Sequence, residues 1–230
     1  MFRGLQVQTE IAAGRHLPEP KGLGSIVDGM AALDQIGVII TVKRDEPLFF
    51  EGDAAEFYFK VISGAVRGCK LLADGRRHVG NFFLPGDFIG LDAAEYHAFS
   101  AEVVADTIMV RYARWKVHAL ADQELAIARS LVNVMRTELC AARNRMALLG
   151  QMSAMERIAN FILMMADKSG TRDISLPMTR TDIGDHLGLT IETVSRVFSR
   201  LKKDHIIEQQ SLHHIRIADR DALVDLADFS

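Results

Sequence analysis

A seven-residue repeat of apolar side chains between residues 125 and 149 is the feature that most restricts the fold of this 230-residue chain. The apolar positions recur in steps of three and four, which places them on one narrow stripe of a long α-helix. Because an ordinary surface helix has a wider apolar face, the stripe predicts a two-helix seam with a second copy of the chain. The alternative, that it packs on the N-terminal half of its own chain, stays open. The seam begins at Leu125, and its predicted interface consists of Ala128, Val132, Met135, Leu139, Ala142, Met146 and Leu149.

The half of the chain that precedes this helix is a series of short apolar or alternating segments. Turn sequences separate them at Ser63-Gly64, Ala73-Asp74-Gly75 and Pro85-Gly86-Asp87. Short strands at roughly 8 to 12 residue spacing, joined by Gly-containing connections, are typical of an antiparallel sandwich or barrel. We therefore predict a small N-terminal β-roll, with strands in the segments 47–50, 57–62, 65–72, 78–83 and 103–110.

The C-terminal part has the pattern of a winged helix-turn-helix. Gly150 ends the long helix, and Ser153 with Glu156 forms a capping box that starts the next one. Residues 180–187 and 191–203 then predict two helices around a tight turn, with Thr190 as N-cap of the second. Two apolar pairs around a polar stretch of residues 208–214 predict a β-wing, and Asp219 is placed to cap a last short helix. The predicted domains are therefore a β-roll at 1–114, a dimerisation helix at 115–150 and a winged helix-turn-helix at 151–230, an α+β architecture.

The second helix of this motif carries a candidate DNA-reading face. Glu192, Ser195 and Arg196 are three and four residues apart and share one face. An acceptor, a hydroxyl and a guanidinium at the start of a helix are suited to base edges in a major groove. The alternative is a plain ion pair between Glu192 and Arg196 on a solvated surface. Further residues are predicted to contact DNA phosphates, namely Arg180, Thr190, Thr193, Arg200, Lys202 and Lys203.

Composition limits the classes of function without choosing one. The chain is 49% hydrophobic and 25% charged with a formal net charge of −3, so DNA affinity has to come from a local basic surface. No N-terminal stretch resembles a signal peptide and no apolar run is long enough for a membrane span, so a cytoplasmic protein is expected. The cysteines, Cys69 and Cys140, lie far apart in sequence and are expected to be free thiols. No catalytic constellation indicates an enzyme.

The order of β-roll, heptad helix and winged helix-turn-helix resembles the CRP/FNR superfamily of transcription regulators, over about residues 30 to 220. The segment Pro85-Gly86-Asp87-Phe88-Ile89-Gly90 resembles the conserved turn of that family's sensor domain. The hexapeptide Ile191-Glu192-Thr193-Val194-Ser195-Arg196 resembles the DNA-reading motif of its FNR and FixK branch. The resemblance implies a homodimeric activator that binds double-stranded DNA at a TTGAT-N4-ATCAA-like palindrome and recruits RNA polymerase through surface loops.

The sensor half lacks the residues that its nucleotide-binding relatives use. Those relatives carry Gly-Glu after the conserved turn and Arg-(Ser/Thr)-Ala some ten residues later, where this chain has Gly-Leu-Asp at 90–92 and His-Ala-Phe-Ser-Ala at 97–101. Residues 1–68 contain no cysteine, so the four thiolates of an oxygen-sensing iron–sulfur cluster are not available. The resemblance therefore implies no cyclic AMP, no metal and no cofactor. It points to FixK-like regulators of low-oxygen, microaerobic or denitrification genes.

Another regulator of the same family, with a β-roll that binds haem or another small ligand, is the alternative function. His78, His97 and His118 are the candidate haem ligands, although their spacing forms no motif. A redox role of Cys140, beside the predicted seam, is a further alternative to a small buried thiol. The arginines of the β-roll, Arg67, Arg76 and Arg77, are interpreted as solvated hairpin residues.

Overall fold

Antiparallel strands form the first half of the molecule. The computed structural model describes residues 33–91 and 95–227, without the side chains of residues 34 and 144–151. A short 3-10 helix at Leu33–Gln35 precedes the strands. The strands are β1 Val38–Val42, β2 Pro47–Phe49, β3 Phe57–Leu71, β4 Arg77–Phe83, β5 Phe88–Ile89 and β6 Ser100–Ala113. In the sheet the strand order is β1-β6-β3-β4, with β2 added to β6 and β5 added to β3.

The sheet folds around apolar side chains that alternate with exposed ones along the strands, as the pleat requires. Val61, Val66, Val103 and Met109 have no exposed surface and form one core cluster with neighbouring aromatic rings. The predicted antiparallel β-roll is therefore confirmed.

One predicted turn is wrong. We expected Ser63-Gly64 to separate two strands, but β3 runs through it, and its pairing with β6 continues on both sides with shifts of register. Gly64 has φ of 91°, and a Cβ there would lie 2.4 Å from the carbonyl oxygen of Asp106. The glycine therefore allows an irregularity within a paired strand, where the sequence pattern alone indicates a break.

The helical segment after the sheet consists of two helices, α1 at Arg114–Gln123 and α2 at Leu125–Gln151. They are separated by Glu124, whose backbone is extended. The long helix predicted from the heptads is thus present and ends at Gln151, one residue past Gly150.

The long helix α2 has two apolar stripes. Ile127 is fully buried, and Leu131 and Val134 pack beside it against the β-roll. On the adjacent stripe, Val132 is 62% exposed and Leu139 is 52% exposed. The residues of α2 that pack on the chain's own β-roll are therefore mostly the ones beside the predicted seam, and not the seam residues themselves. Of the seam residues, Met146 and Leu149 lie outside the described side chains.

The C-terminal part is the predicted winged helix-turn-helix. Its second sheet has the order β7-β9-β8 and so contains a strand, β7, that the sequence pattern did not indicate. Ser153 and Glu156 form the predicted capping box, and Asp219 accepts a hydrogen bond from the backbone N–H of Ala222 at 3.0 Å, as expected of a cap. The elements are α3 Ala154–Ser169, β7 Asp173–Ser175, α4 Arg180–Leu187, α5 Ile191–Lys203, β8 Ile207–Gln209, β9 His214–Ile217 and α6 Arg220–Ala227.

A single apolar cluster joins the β-roll to the C-terminal helices. Val79, Phe82 and Leu84 belong to the same buried cluster as Phe161 of α3. The rings of Phe82 and Phe161 meet edge to face with centroids 6.2 Å apart. The helix-turn-helix is thus packed directly against the sheet. None of the helices in the described part of the chain has the length and apolarity needed to cross a membrane.

Candidate nucleic-acid interface

The turn between α4 and α5 is as tight as predicted. Gly188 ends α4 in the left-handed region with φ of 65°, where a residue without Cβ is favoured. The Leu189 N–H then donates to the carbonyl of Gly184 at 2.9 Å. A Cβ on Gly184 would lie 2.6 Å from the Leu189 carbonyl oxygen, so only glycine fits there without a shift of the backbone.

The start of α5 is capped as the sequence predicts. The Thr190 hydroxyl accepts a hydrogen bond from the Thr193 N–H at 3.3 Å. Val194, Phe198 and Leu201 face the core and are buried, so their register fixes which residues of α5 face outward. The opposite face of the helix is the candidate reading face.

Glu192, Ser195 and Arg196 are all exposed on that outward face, close to the N-terminus of the helix. The guanidinium of Arg196 lies near the backbone carbonyl of Glu192, at 3.4 Å from Nε, and near the Thr193 hydroxyl, at 3.3 Å from Nη2. The pKa of Glu192 lies below its ordinary value, because hydrogen bonds from its own backbone N–H and the Thr190 hydroxyl and the nearby charge of Arg196 stabilise the carboxylate. Glu192 is therefore an ionised acceptor beside an exposed donor.

The residues predicted to contact phosphates lie around this face and differ in how exposed their side chains are. Thr193 is half-buried, and the Arg200 Nε lies 3.6 Å from the carboxylate of Asp204. The others on α5 extend into solvent from its two ends, at Thr190, Lys202 and Lys203. Their contacts with DNA stay predictions.

Arg180, the first residue of α4, is held differently from the other candidates. Its guanidinium carbon stands 3.3 Å from the centroid of the Phe198 ring. Its two terminal nitrogens are buried and have no hydrogen-bond partner among the described residues. Burial lowers the pKa of Arg180 to about 10, so the side chain remains a cation at neutral pH. Because both terminal nitrogens are buried and the guanidinium is stacked on Phe198, Arg180 in this position is not accessible to a DNA phosphate.

The prediction that the arginines of the β-roll are merely solvated is wrong for two of the three. Arg67 Nη1 donates to Asp182 of α4 at 2.8 Å, and Arg77 Nη2 donates to the same carboxylate oxygen at 2.6 Å. Only Arg76 is a solvated hairpin residue, paired with Asp74. The sequence contains no signal for this cluster, because an acidic residue at the third position after a cap is equally compatible with an exposed capping box.

A cavity of about 460 Å³ lies between the β-roll and α2. Phe83, Phe99 and Leu139 are among its lining residues, and Lys70 at its edge is paired with Glu51 at 2.9 Å. Phe99 lies in the segment where nucleotide-binding relatives carry their arginine. That the protein does not bind cyclic AMP remains a prediction, and the apolar lining of the cavity favours it.

The candidate haem ligands occupy separate surroundings. His97 is buried with its ring stacked on Phe49 at 3.5 Å, and the Nε2 of His118 lies 2.8 Å from the Tyr58 hydroxyl. Of the three histidines, only His78 lines the cavity. Cys140 is exposed, which contradicts the interpretation as a buried filler, whereas Cys69 is buried.

Comparison with known proteins agrees with this geometry. Residues 156–226 match a Crp-like helix-turn-helix domain, and residues 39–124 match a cyclic nucleotide-binding domain. The nitrogen fixation regulation protein FixK of Azorhizobium caulinodans is 38% identical over 82% of this chain and 78% of its own. FixK of Rhizobium meliloti is 35% identical over 86% and 91%. The structure of FixK2 from Bradyrhizobium japonicum has a TM-score of 0.81 and 38% identity, covering 85% of this chain and 99% of that one.

Fold, site and relatives together define a transcription regulator with a DNA-binding helix-turn-helix, and its relatives are regulators, not enzymes. The chain belongs to the CRP/FNR family, and within that family it is a FixK-like protein.

Proposed function

We propose that the protein is a homodimeric activator that binds a TTGAT-N4-ATCAA-like palindrome and switches on genes used at low oxygen. The observation that carries the proposal is the exposed trio Glu192, Ser195 and Arg196 at the start of α5. Arg196 can donate two hydrogen bonds to guanine O6 and N7, and Glu192 can accept one from a cytosine amino group. Ser195 can contact a thymine. Ile191, 44% exposed beside them, has no donor to offer a further guanine.

Positioning on the DNA backbone falls to the surrounding cations and hydroxyls. Arg180 lies over the Phe198 ring with its terminal nitrogens buried, so its guanidinium would have to turn outward to reach a phosphate, and the exposed cations are the stronger candidates. Arg200, Lys202 and Lys203 supply charge at the far end of α5. A chain of net charge −3 would thus carry its positive charge where the DNA is bound.

The open stripe of α2 supports the proposed homodimer. Val132, Met135 and Leu139 are each about half or more exposed in the single chain, at 62%, 49% and 52%. Apolar side chains at heptad spacing are stabilised when a second helix covers them. Two copies joined along α2 would place their α5 helices in successive major grooves, about one helical turn apart.

The low-oxygen role and the recruitment of RNA polymerase follow from the resemblance to FixK- and FNR-type regulators, and the names of the relatives support the regulatory role itself. One is named as a nitrogen fixation regulation protein, and another, 30% identical over 86% of this chain and 84% of its own, is the transcriptional activator FnrL of Cereibacter sphaeroides. A chromosomal target and a polymerase partner would place this protein in the cytoplasm.

The test is a pair of variants on the same helix, Arg196→Ala and Arg200→Ala, titrated against the palindrome and against a scrambled duplex in gel-shift experiments. Arg196→Ala should lose the preference for the palindrome by roughly ten- to a hundredfold, equivalent to about 1–3 kcal/mol for one bidentate base contact. Arg200→Ala should weaken binding to both duplexes alike and reduce the salt dependence by about one phosphate contact. An unchanged preference in Arg196→Ala would refute the proposed base contact.

A further inference from the structure

An ion-pair cluster connects the β-roll to the first helix of the DNA-binding motif. Arg67 of β3 and Arg77 of β4 both donate to one oxygen of Asp182, at 2.8 and 2.6 Å. Arg77 also donates to Asp185, one turn further along α4, at 2.9 Å from Nε and 2.8 Å from Nη2. We call these four residues, Arg67, Arg77, Asp182 and Asp185, the latch.

The latch is geometrically specific, and it is buried on the side of Asp182 and Arg67, while Arg77 and Asp185 are partly exposed. The side chain of Asp182 is only 2% exposed and that of Arg67 is 16% exposed. Arg67 is itself held in place by Glu102 of β6, which accepts from Nη2 at 2.7 Å. Fork-shaped guanidinium contacts of this kind fix direction as well as distance, and breaking them leaves a charge unpaired in a buried place.

Asp182 also organises the start of α4. Its other carboxylate oxygen accepts hydrogen bonds from the Thr179 N–H at 2.9 Å and the Thr179 hydroxyl at 2.8 Å. One carboxylate therefore caps the helix with one oxygen and binds the sheet with the other. Any rotation of α4 against the β-roll breaks its bonds to Arg67 and Arg77.

Further contacts extend the attachment along α4 and to α3. His186, which is buried, places Nδ1 2.9 Å from the Val79 carbonyl of β4. At the other end of α4, Arg157 of α3 donates to the Leu187 carbonyl at 2.9 Å and to the Met152 carbonyl, in the link between α2 and α3, at 3.0 Å. The reading motif is thus held at one end through the α2–α3 link and along its side by the sheet.

We propose that Arg67 and Arg77 are positioning residues for DNA recognition: through the latch they fix the orientation of the helix-turn-helix and thereby the half-site spacing that the dimer accepts. The α2–α3 junction alone would leave rotation about that junction free, and the apolar cluster shared with the sheet opposes it without fixing one direction. The latch adds directional contacts on the sheet that select one orientation. This proposal rests on the proposed function, since a spacing exists only for a dimer that reads two half-sites.

The experiment compares Arg77→Met with Arg76→Met, its sequence neighbour, which is 77% exposed and, within the described part of the chain, pairs only with Asp74. Binding is measured to palindromes with the four-base spacer and with spacers one and two bases shorter or longer. The native protein and Arg76→Met should discriminate strongly against the altered spacers. Arg77→Met should lose about tenfold of that discrimination, the effect expected when a buried charge-assisted contact no longer biases one orientation. Arg77→Lys should recover part of it.

A second measurement needs no DNA. Spin labels at Ile39→Cys in β1 and Leu212→Cys in the wing, in a Cys140→Ser background and diluted with unlabelled chains, report the distance from sheet to wing. Both label sites are exposed, at 66% and 75%, and Cys69 is buried. The latch predicts one narrow distance distribution that broadens in Arg77→Met and not in Arg76→Met. Asp185→Asn, which leaves the Thr179 cap intact, should broaden it too.

The two measurements separate the possible failures. If the native protein prefers one spacer and Arg77→Met keeps both that preference and the narrow distribution, the latch does not position the motif. If the native protein shows no preference for any palindrome, the proposed function is wrong, and the distance measurement still decides whether the latch orients α4.

Discussion

At the scale of single residues, Asp182 is the side chain on which most of the site depends. Burial acts to raise the pKa of this carboxyl, but the hydrogen bonds from Thr179 and the charges of Arg67 and Arg77 outweigh that effect and leave the pKa below its ordinary value. A carboxyl whose pKa is lower in the folded state stabilises the fold above its unfolded pKa, about pH 4, and loses this contribution as the pH falls through the folded value.

The corresponding prediction concerns Asp182→Asn in urea unfolding at a series of pH values. The variant should be less stable than the native protein by about 1–3 kcal/mol at pH 7, because Arg67 and Arg77 lose the buried carboxylate that they share and keep only Glu102 and Asp185. The difference should begin to shrink as the pH falls below about 4, where the Asp182 carboxyl is protonated in the unfolded chain, and it should vanish below the lower pKa of the folded state. Asp225→Asn, on the exposed side of α6, is the control and should follow the native curve. A constant difference down to acid pH would contradict the assignment.

At the scale of elements, α2 carries two apolar stripes, of which one packs on the β-roll and the other is exposed in the single chain. The heptad pattern identifies a single seam, but the helix carries a second apolar stripe one position away, through Ile127, Leu131 and Val134, that packs on the β-roll. Sequence periodicity does not state which stripe faces the chain's own sheet. That choice depends on the position at the end of β6 from which α1 and α2 begin.

Met135→Glu tests the outer stripe by placing a charge on the proposed seam. Sedimentation should show dissociation of the dimer, because an ionised carboxylate buried between two apolar helices costs several kcal/mol. Thr137→Glu, exposed on the other side of the same turn of α2, is the matched control and should remain dimeric. An intact dimer in Met135→Glu would place the interface elsewhere on the molecule.

At the scale of the whole molecule, the shared core makes the sheet and the DNA-binding helices one packing unit. Phe82, only 3% exposed, contacts both the ring of Phe161 and the ring of His186, at 6.2 and 5.1 Å between centroids. Such a contact couples the stabilities of the parts that it joins.

Phe82→Ala should therefore do more than destabilise the fold by about 3–5 kcal/mol. Calorimetry should resolve two unfolding transitions where the native protein shows one, since the sheet and the helical part lose their common cluster. Phe50→Ala, at a ring that is 54% exposed, is the control and should change stability by only about 0.5 kcal/mol. A single, lowered transition in Phe82→Ala would mean that other contacts suffice to couple the two parts.

The sequence by itself determined the local elements and the reading face. Caps at Ser153 and Thr190 and the turn at Gly188 depend on residues within a few positions of one another, so short patterns suffice to predict where these helices begin and end. The outward position of Glu192 and Arg196 follows from the 3.6-residue period alone.

Only the tertiary structure decided what joins these elements. Arg67 and Asp182 are 115 positions apart, and nothing near either residue in sequence indicates the other. The same holds for the continuity of β3 through Gly64, which depends on pairing with β6. Contacts between distant segments are set by how the elements pack, and this is why the arginines interpreted as solvated proved to hold the DNA-binding motif against the sheet.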